Sequence, residues 1–247
     1  MNDWQRSVSL WLMPFPWLSR LLSPRLNTQQ ITGLPLTLAL MAVLALMLLL
    51  SGLVEDVVEQ DTIVQFDYWV ATTMAQVRTD ALVTFFDTMT QLGNTKIVLP
   101  LLLLALTSLV LWGNRFWALP LVLSFVGSMT MAALGKYGFA RPRPIEALFV
   151  EHSPSFPSAH ATLAMAFYAV LFYLWWRRTS HRSLQMMIAI MGMTFVTLLA
   201  SSRIIIGVHY VSDVIAGLLL GGLWFVIAIS LYEWLNAKQY IQLRTHA

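Results

Sequence analysis

The chain has 247 residues, 58% of them hydrophobic and only 11% charged, with a mean hydropathy of +0.69; this is too apolar for a soluble domain and places the protein in a membrane. Its net charge of +3 does not point to nucleic acid, because the basic residues are scattered at segment ends and form no continuous stripe. The absence of cysteine excludes disulfides and thiol chemistry.

Residues 1–30 do not read as a cleaved signal peptide, since Pro14 and Pro16 interrupt the apolar stretch and no small-residue cleavage site follows. They read as a retained cytoplasmic or interfacial segment, with Trp4, Trp11 and Trp17 beside Arg6, Arg20 and Arg25 in the headgroup region, or as a tail without structure. A hydrocarbon core of about 30 Å takes about 20 helical residues. Six apolar runs approach that length: Ile31 to Leu53, Ile97 to Gly113, Phe116 to Leu134, Ala159 to Trp176, Leu184 to Ser201 and Val211 to Leu235. They predict an all-α polytopic membrane protein, with one six-span domain over 31–235 and a cytoplasmic tail over 236–247.

Between the first two runs, residues 54–96 form a loop too long for a simple connection. Ile63, Phe66, Trp69 and Val70 recur at helical spacing, as do Leu82, Phe85, Phe86 and Met89, which predicts short helices on the outer surface. The turn Gly113-Asn114-Arg115 makes the second and third runs an antiparallel pair. Alternate loops differ in charge. One side holds Arg6, Arg20, Arg25, Arg115, Arg177, Arg178, Arg182, Lys238 and Arg244 with only Asp3 and Glu233, and the other holds Arg78, Lys96, Lys136, Arg141, Arg143 and Arg203 with the remaining acids. Basic loops stay in the cytoplasm, so both termini are expected there, and in a bacterial inner membrane the acidic side faces the periplasm.

Three polar clusters fall at run ends on that outer side: Lys136 to Pro144, Pro157-Ser158-Ala159-His160, and Ser202 to Asp213. Charged groups near hydrocarbon are expensive and tend to mark function. Lys136, Arg143 and Arg203 suit a multiply charged anion, because guanidinium groups bind phosphate oxygens in pairs and lysine adds a compact charge; any one alone reads better as a snorkelling anchor, but the three together with two histidines do not. Ser158 is placed to cap a helix whose first amides point toward an anion, and His160 beside it to act as a general acid. His209 and Asp213 are four apart, so on a helix the carboxylate can hold one ring nitrogen while the other attacks. The same pair could supply two ligands to zinc, but the surrounding cations would repel a metal.

Lys136-x6-Arg143-Pro144, then Pro157-Ser158-Ala159-His160, then Ser202-Arg203-x5-His209-x3-Asp213 resembles the signature of the type 2 phosphatidic acid phosphatases, membrane lipid phosphatases related to the vanadium haloperoxidases. The likeness covers Lys136 to Asp213 by motif and departs at Ala159, where the family usually has glycine. It implies His209 as nucleophile, Asp213 as its orienting partner and His160 as acid. It also implies Lys136, Arg143 and Arg203 as a phosphate clamp, and Ser158 with the amides of Ala159 and His160 as an anion cradle. Arg141 lies outside the motif and reads as a rim charge. The implied activity is metal- and cofactor-independent hydrolysis of a lipid phosphate or pyrophosphate of the undecaprenyl pyrophosphate, phosphatidic acid or phosphatidylglycerophosphate type. The expected partners are membrane lipids. Rival readings are a lipid phosphotransferase using the same phosphohistidine and a non-catalytic lipid-phosphate binder or transporter.

Overall fold

A computed structural model describes residues 33–113 and 115–245, with side chains as far as Ala237, Arg115 excepted. The segment expected at the interface over 1–30 lies outside the described residues. Within them the fold is entirely helical: α1 (Leu34–Val58), α2 (Thr62–Val77), α3 (Asp80–Gln91), α4 (Thr95–Leu111), a 3-10 turn at Arg115–Trp117, α5 (Ala118–Phe139), α6 (Ala159–Arg178), α7 (Arg182–Ile205) and α8 (Val211–Thr245).

Each of the six apolar runs overlaps one of these helices. Five helices, α1, α5, α6, α7 and α8, are long and apolar enough to cross a membrane. The sixth run is α4, of 17 residues, which meets that criterion only together with α3, from which it is bent by 42°. The protein is therefore an integral membrane protein, with five such helices among the described residues, or six if the bent pair is one span. The long connection contains two helices, α2 and α3, each started by a local cap. Asp61 accepts from the Thr62 amide at 2.6 Å and Thr79 from the Leu82 amide at 3.3 Å, satisfying donors that a helix start leaves free. Asn94 does the same for α4, accepting from Lys96 at 3.0 Å.

α8 is the central element, packed on α1, α5 and the start of α6. Small residues make this possible. A Cβ at Gly217 would lie 2.5 Å from the Ser158 carbonyl oxygen, and one at Gly221 would lie 2.6 Å from that of Thr162. α8 thus meets α6 backbone to backbone, the mode available to helices that gain no hydrophobic drive from association in lipid. On the far side of α6, Leu163, Phe167 and Val170 pack with Val98 of α4, Leu121 of α5 and Leu199 of α7 in a buried apolar core. At the opposite end, Glu233 of α8 accepts from Tyr173 at 2.7 Å and from Arg177 at 2.9 and 3.0 Å. α6 is held against α8 at both ends, which fixes its first turn beside the first turn of α8. Lys136, Ala159, Arg203 and Val211 all stand at this one end of the bundle.

The contact at Gly217 gives a direct test. Gly217→Ala should separate the two helix starts and cost roughly 1–3 kcal/mol, the usual range for overpacking. A lowered thermal midpoint in detergent would register this, and an unchanged midpoint would show that the backbone contact is unimportant.

Candidate active site

α7 ends at Ile205 and Gly207 turns the chain with φ +77°. His209 therefore lies in the connection before α8, two residues ahead of its first turn, and not on a helical face with Asp213 as the four-residue spacing suggested. The pair still meets, for a different reason. Asp213 in the first turn of α8 reaches back so that its Oδ2 accepts from the Tyr210 amide at 2.9 Å, as the acidic member of a capping box does. This brings Oδ2 to 3.3 Å from His209 Nδ1. The Ser155 hydroxyl donates to the same oxygen. Arg78, from the α2–α3 turn, fastens the connection by donating to the carbonyls of Ile205 and Glu146, both at 2.7 Å.

On its other side, His209 presents Nε2 to Arg143 Nη1 at 3.2 Å. A guanidinium can only donate, so Nε2 carries the lone pair and the ring proton sits on Nδ1 facing Asp213. Burial pushes the imidazole down to about 4, against the pull of Asp213 and with the help of Arg203 and Arg143. At neutral pH His209 is an uncharged base with Nε2 directed at a cation.

The cations come from three elements. Lys136, in the last turn of α5, donates to the Pro154 carbonyl at 2.6 Å. Ala140 then takes a left-handed conformation (φ +46°), a position usually given to glycine, and the chain turns so that Arg141 and Arg143 point inward. Arg143 donates to the Ser153 carbonyl at 2.8 Å and the Val208 carbonyl at 2.7 Å, tying the 140–158 loop to the His209 connection. Arg203, 3% exposed, donates to Thr90 Oγ1 at 2.8 Å and to Glu151 Oε1 at 2.6 Å. Glu151 also receives Arg143 at 3.3 Å. Its carboxylate bridges the two guanidinium groups as the oxygens of a phosphate would. Burial alone would raise its pKa, but Arg203 and Arg143 outweigh burial and hold it below the usual range.

Ser158 occupies the cap position of α6, yet its hydroxyl does not cap. Its backbone amide is spent on the Asp213 carbonyl at 2.9 Å, and its Oγ, like Arg203 Nε, is buried with no hydrogen-bond partner among the described residues. Ala159 follows in the first turn, where amides have no helical acceptor. His160 stands within electrostatic reach of Arg203, His209, Lys136 and Arg143, and its ring packs on Gly93, where a Cβ would come within 3.0 Å of it.

Every predicted site residue is thus at one end of the bundle, and His209, Asp213, Arg143 and Arg203 belong to one connected network. Arg141 requires correction. It is 9% exposed, not a rim charge, and pairs with Asp213 and Asp67, both at 2.8 Å. Sequence reasoning passed over Asp67, Thr90, Ser155 and Glu151. Asp67 and Thr90 lie on helices read only for their apolar faces. Among the described residues, no group of three or more His, Cys, Asp or Glu is arranged to hold a metal ion.

An all-helical membrane bundle with histidine, carboxylate and three cations gathered at one end defines a class of phosphate-handling membrane proteins, and the comparisons agree. The family model described as the PAP2 superfamily matches residues 117–237. Phosphatidylglycerophosphatase B of Bacillus subtilis (strain 168) is 31% identical over 140 residues, 56% of this chain and 69% of that protein. "Putative undecaprenyl-diphosphatase YbjG" of Escherichia coli (strain K12) is 32% identical over 134 residues, 52% of this chain and 61% of that protein. The crystal structure of a PAP2-type phosphatidylglycerolphosphate phosphatase from Bacillus subtilis superposes with a TM-score of 0.71 at 27% identity, covering 77% of this chain and 96% of that one. The chain belongs to the PAP2 superfamily.

The imidazole makes a prediction about stability. The unfolded chain takes up its His209 proton near pH 6.5 and the folded one near pH 4, so between these values the unfolded state binds more protons and stability falls as pH drops. The full effect is about 3 kcal/mol, at about 1.4 kcal/mol per unit. Unfolding measured across this window should be less pH-dependent in His209→Asn than in the wild type; equal slopes would show that His209 is not buried neutral.

Proposed function

We propose that this protein is an integral-membrane lipid phosphatase, hydrolysing a lipid phosphate or pyrophosphate through a phosphohistidine at His209. One observation carries the reading: His209 directs a lone pair at Nε2 toward the guanidinium of Arg143 while Nδ1 rests on Asp213. A phosphate drawn in by Lys136, Arg143 and Arg203 meets an in-line nucleophile. It also takes up the buried donors that have no partner, Arg203 Nε and Ser158 Oγ, with the amides of Ala159 and His160 completing the cradle.

In the first step a His209 Nε2–P bond forms and the P–O bond to the lipid breaks, and His160 gives its proton to the departing oxygen. The imidazole becomes positive, and Asp213 stabilises it across Nδ1–H. In the second step His160, now neutral, takes a proton from water, whose oxygen attacks phosphorus and frees His209. The cation ring stabilises negative charge gathering on the phosphoryl oxygens in both steps. No metal is needed, because arginine and lysine already supply the positive charge that a metal would contribute.

The substrate is amphipathic, since the site lies at one end of an apolar bundle. Phosphatidic acid, phosphatidylglycerophosphate and undecaprenyl pyrophosphate types all present the required group, and the two sequence relatives are named for a glycerolipid phosphate and for an isoprenoid diphosphate. In this reading α4 is the sixth span, both termini are cytoplasmic, and the site faces the periplasm of a bacterial inner membrane. The expected tail over 236–247 begins as a continuation of α8, which runs to Thr245.

Phosphate release from a panel of lipid phosphates and diphosphates, with and without chelator, tests the proposal. His209→Ala should abolish turnover, and His160→Ala and Asp213→Asn should reduce it by about two to four orders of magnitude. Full activity in His209→Ala, or loss of activity on chelation, would overturn the mechanism. Glu151→Gln should lower KM several-fold, because the substrate anion no longer competes with a resident carboxylate for Arg143 and Arg203; a raised KM would show that Glu151 helps to hold the clamp.

A further inference from the structure

Asp67 is the one acid of α2 that is completely buried, on a helix whose neighbouring Phe66, Tyr68 and Trp69 are exposed. It lies outside residues 117–237, the stretch matched to the superfamily. All of its hydrogen bonds run toward the active site. Oδ1 accepts from the Ser212 amide at 2.9 Å. Oδ2 accepts from the Ser212 hydroxyl and from Arg141 Nη2 at 2.8 Å. Arg141 in turn donates from Nη1 to Asp213 Oδ1 at 2.8 Å and to Ser212 Oγ at 2.7 Å. The guanidinium lies over the Tyr210 ring at 4.4 Å.

A buried arginine beside Asp213 has a cost for the proposed chemistry. Paired with Asp213 alone, it would cancel the charge that must stabilise the positive imidazole. With two carboxylates around one guanidinium, the group keeps a net negative charge and Arg141 is shared. Asp213 then has one oxygen fixed by Arg141, and the other is left for His209, Ser155 and the Tyr210 amide.

We propose that Asp67 is a positioning residue: by holding Arg141 and Ser212 from α2, it sets the orientation and the net charge of Asp213 behind His209. The proposal rests on the reading of His209 as nucleophile. Asp67 does not touch the substrate and acts only through Asp213.

The test uses the full-length protein and two readouts. In phosphate release, Asp67→Asn should lower kcat by about 10- to 100-fold, the usual cost of losing such a supporting group, with KM within twofold. Asp67→Glu, which keeps the charge, should recover part of that loss. In an Asp213→Asn background, Asp67→Asn should cost less than about twofold more, as residues acting in series are not additive. Nitrogen NMR of the His209 ring should show the Nδ1–H tautomer in the wild type and a mixture of tautomers in Asp67→Asn. If that variant does not fold, Ser212→Ala, which removes the bridging hydroxyl and keeps both charges, should show the same tautomer shift and kcat loss at smaller amplitude. Equal losses in both backgrounds, an effect on KM alone, or an unchanged tautomer would overturn the proposal. A wild type that releases no phosphate yet shows the tautomer shift would overturn the phosphatase reading and leave the role of Asp67 standing.

Discussion

Positive charge buried at one end of an apolar bundle is the constraint around which the rest of the structure is organised. Lys136, Arg141 and Arg203 are each 9% exposed or less. A cation in such a place is tolerated only if it is paired and hydrogen-bonded. The partners differ in kind. Arg141 has two carboxylates, Arg203 has Glu151 and Thr90, and Lys136 and Arg143 lean mostly on carbonyl oxygens of the 140–158 loop. Carbonyls and a half-exposed carboxylate satisfy geometry and leave most of the positive potential in place. The charge of Arg141 is fully answered, whereas Lys136, Arg143 and Arg203 share the single carboxylate of Glu151 and keep a net positive charge, as the proposed anion site requires. The same end of the protein thus contains a closed ion-pair network behind His209 and an open one in front of it.

Such an arrangement needs a rigid frame, and the frame has no large hydrophobic drive to rely on, because lipid is as apolar as the helix faces. Close packing supplies it. Gly217 and Gly221 let α8 lie on the backbone of α6, and the Ser158 amide is bonded to the Asp213 carbonyl. The first turns of these two helices carry His160 and Asp213. Small residues in the first three turns of α8 therefore control the alignment of polar groups at this end of the bundle, even though none of them is polar.

What the sequence made legible follows from how each feature is encoded. Membrane spans are local and compositional, so all six runs correspond to helices; only α4 falls short of a spanning length, and its bend from α3 is a tertiary property that no window of hydropathy contains. The motif residues were legible because their chemistry and spacing are unusual in an apolar chain. Asp67 was not, although it is equally unusual, because its partners are separated from it by 74 residues for Arg141 and 145 for Ser212. Periodicity in α2 drew attention to Phe66 and Trp69, which turn out to be exposed, and away from the acid between them. Arg141 was misread for a related reason: the motif names the arginine assigned to the phosphate and is silent on the one that holds the carboxylate of Asp213.

The two acids that sequence reasoning passed over clarify how the site divides its labour. Glu151 and Asp67 each pair with arginines, but burial separates their roles. Glu151 keeps 35% of its side chain exposed on a loop, so an incoming anion can displace it into water at little desolvation cost. Asp67 has no exposure and sits on a helix, so its displacement would strand a charge in the protein interior. The first is a partner of the kind a ligand replaces, and the second of the kind a ligand never reaches. In the proposed reaction, exchange of carboxylate for phosphate at Arg143 and Arg203 would leave the Asp67–Arg141–Asp213 network undisturbed, and His209 would meet its substrate with its ring proton already held on Nδ1.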